Sequence, residues 1–413
     1  MEWILGIFRS GWRGSDRMPI NNSVFYDASY VTFSIIKDKR VLRDSFIPDT
    51  LPGREEQIFQ FTRALSDLLA DQPPNDIAFI GKPGTGKTAV VKNVTAKYRQ
   101  EYPNLRAKFV YVNCSQATTS YRVMYQLNRA LGVLVPPSGY PFDVLWDKFI
   151  EAYSSSNSRL VVVLDEVDLL VRRDGGRILY SLSRLNYELR KDLSISMVVI
   201  SNTLDFLERL DPRERSSFEP IRIHFPPYTQ PQLYSILRQR ADLGLKLGTW
   251  DDEALHFIAS RVAQESGDAR RAIDVLRMAA ELVEDDRAEK LTVEYAERAL
   301  GCVNEEEISV TIRTLPLHHR LIIAAITDIL EKPNLRPGTG AIYMSYTKKA
   351  SNYGVKPLTM RRVSGILREL ESLGLIEVKM DYGGARGNTK VVERMALPPR
   401  QMKSLLGQVG IKV

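Results

Sequence analysis

Ile77-Ala78-Phe79-Ile80-Gly81-Lys82-Pro83-Gly84-Thr85-Gly86-Lys87-Thr88-Ala89 is the stretch on which the fold turns. Its first four residues are apolar and bounded by turn-forming neighbours, which predicts a buried strand. The next eight match G-x-x-x-x-G-K-[ST]. Glycines let such a loop wrap with its N–H groups aimed at phosphate oxygens, and the N-terminus of the following helix favours negative charge. Gly81, Pro83, Gly84, Thr85, Gly86, Lys87, Thr88 and Ala89 are therefore the expected cradle for the phosphates of ATP or ADP. Lys87 is expected to reach the β- and γ-phosphates, and the Thr88 hydroxyl to ligate Mg²⁺.

Working outward, Lys108–Asn113, Leu160–Leu164, Met197–Ser201 and Ile221–His224 are further short apolar runs separated by helical patterns. That rhythm predicts an α/β domain with a parallel sheet. Leu160-Val161-Val162-Val163-Leu164-Asp165-Glu166 ends a buried strand in two carboxylates. Asp165 is then expected beside Mg²⁺, and Glu166 where it polarises an attacking water. Asn202 ends another strand, where its amide is placed to hold that water. Arg213 and Arg215 lie in a polar stretch before the last strand, and one of them is the candidate arginine finger for a neighbouring subunit's site. In Gly267-Asp268-Ala269-Arg270-Arg271-Ala272, Asp268 caps a helix. Arg270 or Arg271 thus projects from a first turn against the helix dipole, a position that suits a phosphate-reaching role.

The chain of 413 residues is too long for one core. Four parts are expected: a leader at 1–34, the nucleotide-binding α/β domain at 35–228, a helical lid at 229–304, and a winged helix at 305–413. The last part shows three helical patterns (Leu317–Leu330, Ala341–Tyr353, Thr359–Leu373) and then a hairpin signal around Tyr382–Asn388. It carries 17 Lys and Arg against 10 Asp and Glu, which leaves the rest of the chain with equal numbers of acids and bases. The whole net charge of +7 sits there, the footprint of a phosphate-backbone binder. Thr359, Arg361, Arg362 and Ser364 cluster at the N-terminal end of the third helix, where a recognition helix reads bases. Arg386 sits at the tip of the glycine-rich hairpin, flanked by Lys379 and Lys390, with a minor groove as its expected partner.

Cys114 and Cys302 are the only cysteines and lie in no metal-binding pattern, which suits a reducing cytosol. The longest apolar runs fall well short of the roughly 20 residues of a membrane span. Met1–Met18 mixes Trp3, Ile4, Leu5, Ile7, Phe8 and Trp12 with Arg9, Arg13 and Arg17, and reads as a short amphipathic anchor or a frayed tail.

The combination resembles the archaeal members of the origin-recognition and cell-division-cycle replication initiator family, AAA+ ATPases that mark replication origins and help load the replicative helicase. The resemblance covers residues 35–395. It implies that Ser45-Phe46-Ile47-Pro48 and Leu51-Pro52-Gly53-Arg54-Glu55-Glu56 form the entry motif, with Ile47, Pro48 and Arg54 by the adenine. It also implies Asn202 as sensor 1, Arg270 as sensor 2, and the Arg213/Arg215 stretch as the finger region. Ser120–Gly132 is similar to the extra helix that distinguishes initiators, which in the family touches DNA. An apolar face of Tyr121, Met124, Leu127 and Leu131 leaves Arg122 and Arg129, about two turns apart, to face a phosphate backbone.

The expected function is an initiator ATPase, slow and Mg²⁺-dependent, cytoplasmic and associated with the nucleoid. Its partners would be double-stranded origin DNA, other initiator subunits and the replicative helicase, with no membrane. The alternative is an ATP-gated DNA-binding regulator or a transposon-type target selector. A clamp-loader-like motor is opposed by the appended winged helix.

Overall fold

The computed structural model describes residues 34–411 except 188, 190–192, 204, 333–334 and 382–388. Met1–Met18, the hairpin tip at 382–388 and Arg386 therefore lie outside the described residues. The chain order is α1 (Glu55–Ala64), β1 (Ile77–Ile80), α2 (Lys87–Glu101), β2 (Ala107–Asn113), α3 (Ser120–Ala130), α4 (Phe142–Ser154), β3 (Arg159–Asp165), α5 (Val167–Asp174), α6 (Arg177–Leu185), β4 (Ile195–Ser201), α7 (Pro212–Ser217) and β5 (Ile221–His224). The five strands form one parallel sheet in the order β2-β3-β4-β1-β5.

Both faces of the sheet are covered, which is why β3 reads as an unbroken apolar run. Val161 and Val163 pack with Val90, Val94 and Phe61 of α2 and α1. Leu160, Val162 and Leu164 pack on the other face against Met124, Leu127, Phe149 and Leu182 of α3, α4 and α6. Each fully buried side chain of this size contributes about 1.5–3 kcal/mol. The strand ends are thereby fixed, and the carboxyl ends of β1, β3 and β4 open on one edge of the sheet, where ligands bind in such folds.

The lid follows as α8 (Gln230–Gly244), α9 (Asp252–Glu265), α10 (Ala269–Asp285) and α11 (Val293–Thr314). Residues 35–42, expected in the α/β domain, belong to the lid instead. Ile35, Ile36 and Leu42 join its core, and the Lys37 and Asp38 N–H groups donate to the Gly244 carbonyl at 2.8 and 3.0 Å. The apolar residues of this segment precede the first strand and pack on the lid helices, α8 among them.

The winged helix comprises α12 (Leu317–Leu330), α13 (Thr339–Asn352), α14 (Met360–Ser372), the antiparallel pair β6 (Ile376–Asp381) and β7 (Thr389–Met395), and α15 (Pro399–Gln408). The boundary expected at 304/305 falls inside α11, which runs through it unbroken. Glu305–Glu307, three adjacent acids just past that boundary, form an exposed part of this helix. Ala296, Ala299 and Val303 lie in the lid core and Ile312 in the winged-helix core, so one helix serves both.

Candidate functional site

Between the α/β domain and the lid lies a cleft of about 310 Å³, within the range of small-molecule sites. Gly84, Thr85, Gly86, Lys87, Thr88 and Ala89 line it, with Asp165, Glu166, Asn202 and Arg270. Gly81 and Pro83 shape the loop without lining the cleft. The loop needs glycine at two points: Gly84 and Gly86 have φ of +71° and +85°. A Cβ on Gly84 would lie 1.8 Å from the Asp268 carboxylate, and one on Gly86 2.5 Å from the Tyr228 hydroxyl. The lid thus closes directly onto the loop.

Lys87 opens α2, and its ammonium donates to the Gly81 and Lys82 carbonyls at 2.7 Å each. Burial pulls its pKa down to about 8; Asp165 opposes that shift and Arg270 adds to it. The Thr88 hydroxyl donates to Asp165 Oδ2 at 2.7 Å, and the Glu166 N–H to Asp165 Oδ1 at 2.9 Å. A second hydroxyl, Tyr111 Oη, donates to Asp165 Oδ2 at 2.5 Å. Glu166 has φ of +56°, in the left-handed region that non-glycine residues rarely adopt and that clusters at functional sites. The Asn202 N–H donates to Asp168 at 3.1 Å, and its side-chain amide has no partner among the described residues.

Hard oxygen donors, one hydroxyl and one carboxylate, fit Mg²⁺, which is held by one or two carboxylates together with nucleotide phosphates. No cluster of three or more His, Cys, Asp or Glu among the described residues could hold a metal ion by itself.

Asp268 caps α10 by accepting the Arg270 and Arg271 N–H groups at 2.7 and 3.3 Å. The two arginines then part. Arg270 lines the cleft with a guanidinium that has no partner among the described residues, whereas Arg271 pairs with Glu265 at 2.8 Å and Glu307 at 2.9 Å.

The other end of the cleft is apolar, lined by Phe46, Ile47, Pro48, Leu51, Ile236 and Ile273. Arg240 on α8 holds the covering segment by donating to the Val41 and Phe46 carbonyls at 2.7 and 2.8 Å, and Asn93 on α2 by donating to the Pro48 and Asp49 carbonyls at 3.0 Å each. Arg54, expected beside the adenine, does not line the cleft. Its guanidinium is buried under the loop, donating to the Thr85 carbonyl at 2.8 Å and the Pro226 carbonyl at 2.6 Å, and lies 3.6 Å from the Tyr228 ring centroid. With the Gly53 carbonyl, which also accepts at 2.8 Å, three backbone acceptors fix this charged donor beneath the loop.

Arg213 and Arg215 stand away from this cleft on α7, which is held by a capping box between Asp211 and Glu214. Arg215 donates to the Glu208 carbonyl at 2.7 Å, while the exposed Arg213 guanidinium has no partner among the described residues. On α14, Thr359 is the N-cap, Arg361 and Arg362 are exposed, Ser364 is half-buried, and Val363, Ile366, Leu367 and Leu370 are buried. Arg362 lies 3.4 Å from Glu369. In the wing, Lys379 is paired with Glu393 at 2.6 Å and Lys390 is half-buried. On α3, Val123, Met124 and Leu127 are buried while Arg122 and Arg129 are exposed.

Three family models match in succession: an AAA domain at residues 72–210, the Cdc6 AAA+ ATPase-type lid domain at 234–300, and the CDC6 C-terminal winged helix domain at 310–404. The ORC1-type DNA replication protein 1 of Sulfurisphaera tokodaii is 39% identical over 358 residues, covering 87% of this chain and 89% of that relative. The chain belongs to the family of ORC1-type DNA replication proteins. The ORC1-type protein of Thermococcus kodakarensis is 38% identical, with 90% of each chain covered. The Aeropyrum pernix ORC1 protein, solved in complex with DNA, has a TM-score of 0.74 at 34% identity over 91% of this chain and 98% of that one.

As an ORC1-type protein the chain is an AAA+ ATPase with a nucleotide-binding domain, a lid and a winged helix. No described helix is long and apolar enough to cross a membrane. Sequence reasoning missed several residues that line its cleft: Tyr111, Asn113, Lys92, Tyr228 and Arg240. The usable signal for Tyr111 and Asn113 was their place at the carboxyl end of a predicted parallel strand. Tyr228 and Arg240 reach the cleft only through packing of the lid.

Proposed function

We propose that this chain is a replication-origin initiator that binds duplex DNA through its winged helix and α3, and uses the ATP or ADP state of the cleft as a switch for recruiting the replicative helicase. The observation that carries it is a recognition helix, α14, with Thr359, Arg361 and Arg362 at its open end, in one chain with a complete phosphate loop. MgATP, when bound, supplies the γ-phosphoryl group that is passed to water. Lys87 would neutralise the β- and γ-phosphates, Thr88 and Asp165 would hold Mg²⁺, which would offset phosphate charge, and Glu166 would take a proton from the attacking water. Asn202 orients that water, and Arg270 closes the lid on the phosphates. Arg213 or Arg215 reaches the cleft of a neighbouring initiator subunit. The apolar end of the cleft, with Ile47 and Pro48, covers the adenine. Arg361, Arg362, Ser364, Lys379, Arg386 and Lys390 meet DNA from the winged helix, and Arg122 and Arg129 from α3. A cytoplasmic, nucleoid-associated location follows from this reading.

The test is nuclease footprinting of the intact chain on chromosomal origin fragments. Arg361→Ala with Arg362→Ala should abolish protection, and Arg122→Ala with Arg129→Ala should shorten it without weakening nucleotide binding. An unchanged footprint in the second variant would remove α3 from the interface. Protection with no preference for origin fragments would favour a general DNA-binding regulator.

A further inference from the structure

Asp165 is held from three sides, and one of the holders belongs to neither nucleotide motif. Oδ2 accepts from Thr88 at 2.7 Å and from Tyr111 at 2.5 Å, while Oδ1 accepts the Glu166 N–H at 2.9 Å. We propose that Tyr111 is a positioning residue that fixes the Asp165 carboxylate for the divalent cation accompanying the nucleotide, an inference that rests on the Mg²⁺-nucleotide reading above.

The geometry follows from the sheet. Tyr111 pairs with Val163, and Asn113 with Asp165, across β2 and β3. A side chain at 111 must lean along the strand by two residues to meet the carboxylate, a span that suits the long rigid phenol. Its ring is held on the other side by Lys92 of α2, whose ammonium lies 5.0 Å from the ring centroid. Both Tyr111 and Lys92 line the cleft.

A carboxylate offers about four lone-pair sites. Thr88 and Tyr111 use those of Oδ2, and Glu166 uses one on Oδ1, so the remaining direction is defined. The Thr88 contact is shared, because the same hydroxyl oxygen is the candidate cation ligand. The Tyr111 contact is not: its hydroxyl serves Asp165 and nothing else among the described residues. Tyr111 therefore keeps Asp165 in place whether or not a cation draws on Thr88.

Tyr111→Phe keeps the ring and its contact with Lys92 but removes the donor. In the full chain, Mn²⁺ affinity would be read by electron paramagnetic resonance in the presence of ADP, and fluorescent-ADP affinity in EDTA. The expected result is Mn²⁺ binding weakened about tenfold, as for other groups that orient metal ligands, with ADP binding in EDTA and the melting temperature unchanged. Wild-type Mn²⁺ affinity in the variant overturns the proposal. So does a loss of ADP affinity equal with and without metal, the mark of a merely structural wall. Asp165→Asn is the control: if it too leaves Mn²⁺ binding intact, the cation site itself is misplaced, and Tyr111 falls with it.

Discussion

Arg54→Ala separates a base-contacting residue from a strut beneath the phosphate loop. The native guanidinium supplies the Thr85 carbonyl at 2.8 Å and the Pro226 carbonyl at 2.6 Å, and stacks over Tyr228 at 3.6 Å. Truncation strands the buried Thr85 acceptor, costing about 1–3 kcal/mol, leaves the part-buried Gly53 and Pro226 carbonyls short of a donor, and forfeits a desolvated cation–π contact of about 1–2 kcal/mol. The sum, about 3–5 kcal/mol after partial relaxation, is at the upper end for a single substitution. Because Thr85 lies in the loop and Pro226 at the entry to the lid, the damage falls on phosphate binding whatever the base. Denaturant titration should show the earliest transition moved to lower concentration, and ADP and inorganic pyrophosphate should both bind more weakly. A variant of wild-type stability that loses ADP but retains pyrophosphate affinity would refute the strut and restore Arg54 to the adenine.

Lys87→Ala should abolish nucleotide binding, whereas Glu166→Gln should leave ATP bound and unhydrolysed; filter binding with single-turnover assays distinguishes them, and equal ATPase activity in either variant counts against its assignment. The Asp76 carboxyl, mostly buried and accepting the Met197 N–H at 2.6 Å, has its pKa raised by burial to about 6. Its folded-state proton therefore adds stability below about pH 4 and loses it as pH rises through 6, so Asp76→Asn should stabilise the chain by about 1–3 kcal/mol at pH 7 and by nothing at pH 3.5. Thermal melts of both proteins at the two pH values check this. Thr359→Ala and Arg362→Ala should each lose about 1–3 kcal/mol of discrimination between DNA sites if they meet base edges, while a uniform loss on all sequences with a shallower salt dependence would mean phosphate contact alone.

The cleft-lining loop Gly84–Ala89 was legible because its residues are contiguous: one strand, one glycine-rich turn and one helix start carry it. Asp165 and Asn202 were legible because buried parallel strands announce themselves as apolar runs, and the first polar residue beyond each marks the ligand edge. The residue pattern alone left Arg270 and Arg271 unseparated, and only the family resemblance favoured Arg270, since which of two neighbours meets the cleft depends on Glu265 and Glu307, one helix back and one ahead. The place of Arg54 outside the cleft lining was not legible, because the family pattern set it by the adenine whereas its guanidinium answers to local carbonyls. The acidic run at Glu305–Glu307 hid a helix because exposed charge looks the same on a linker and on a helix face.

That helix makes the lid and the winged helix a single lever. Twenty-two residues at a rise of about 1.5 Å each make α11 about 33 Å long, with one half rooted beside the cleft and the other in the domain that carries α14. Arg271, the neighbour of the cleft-lining Arg270, grips it at Glu307, and Gln401 of α15 grips it at Glu305 at 2.8 Å. A turn of the lid by about 10° therefore carries the far end through about 6 Å, nearly two base-pair steps of about 3.4 Å. If the nucleotide state of the cleft turns the lid, as proposed, a change of one phosphate would in this way be geared up to the scale on which a duplex is indexed.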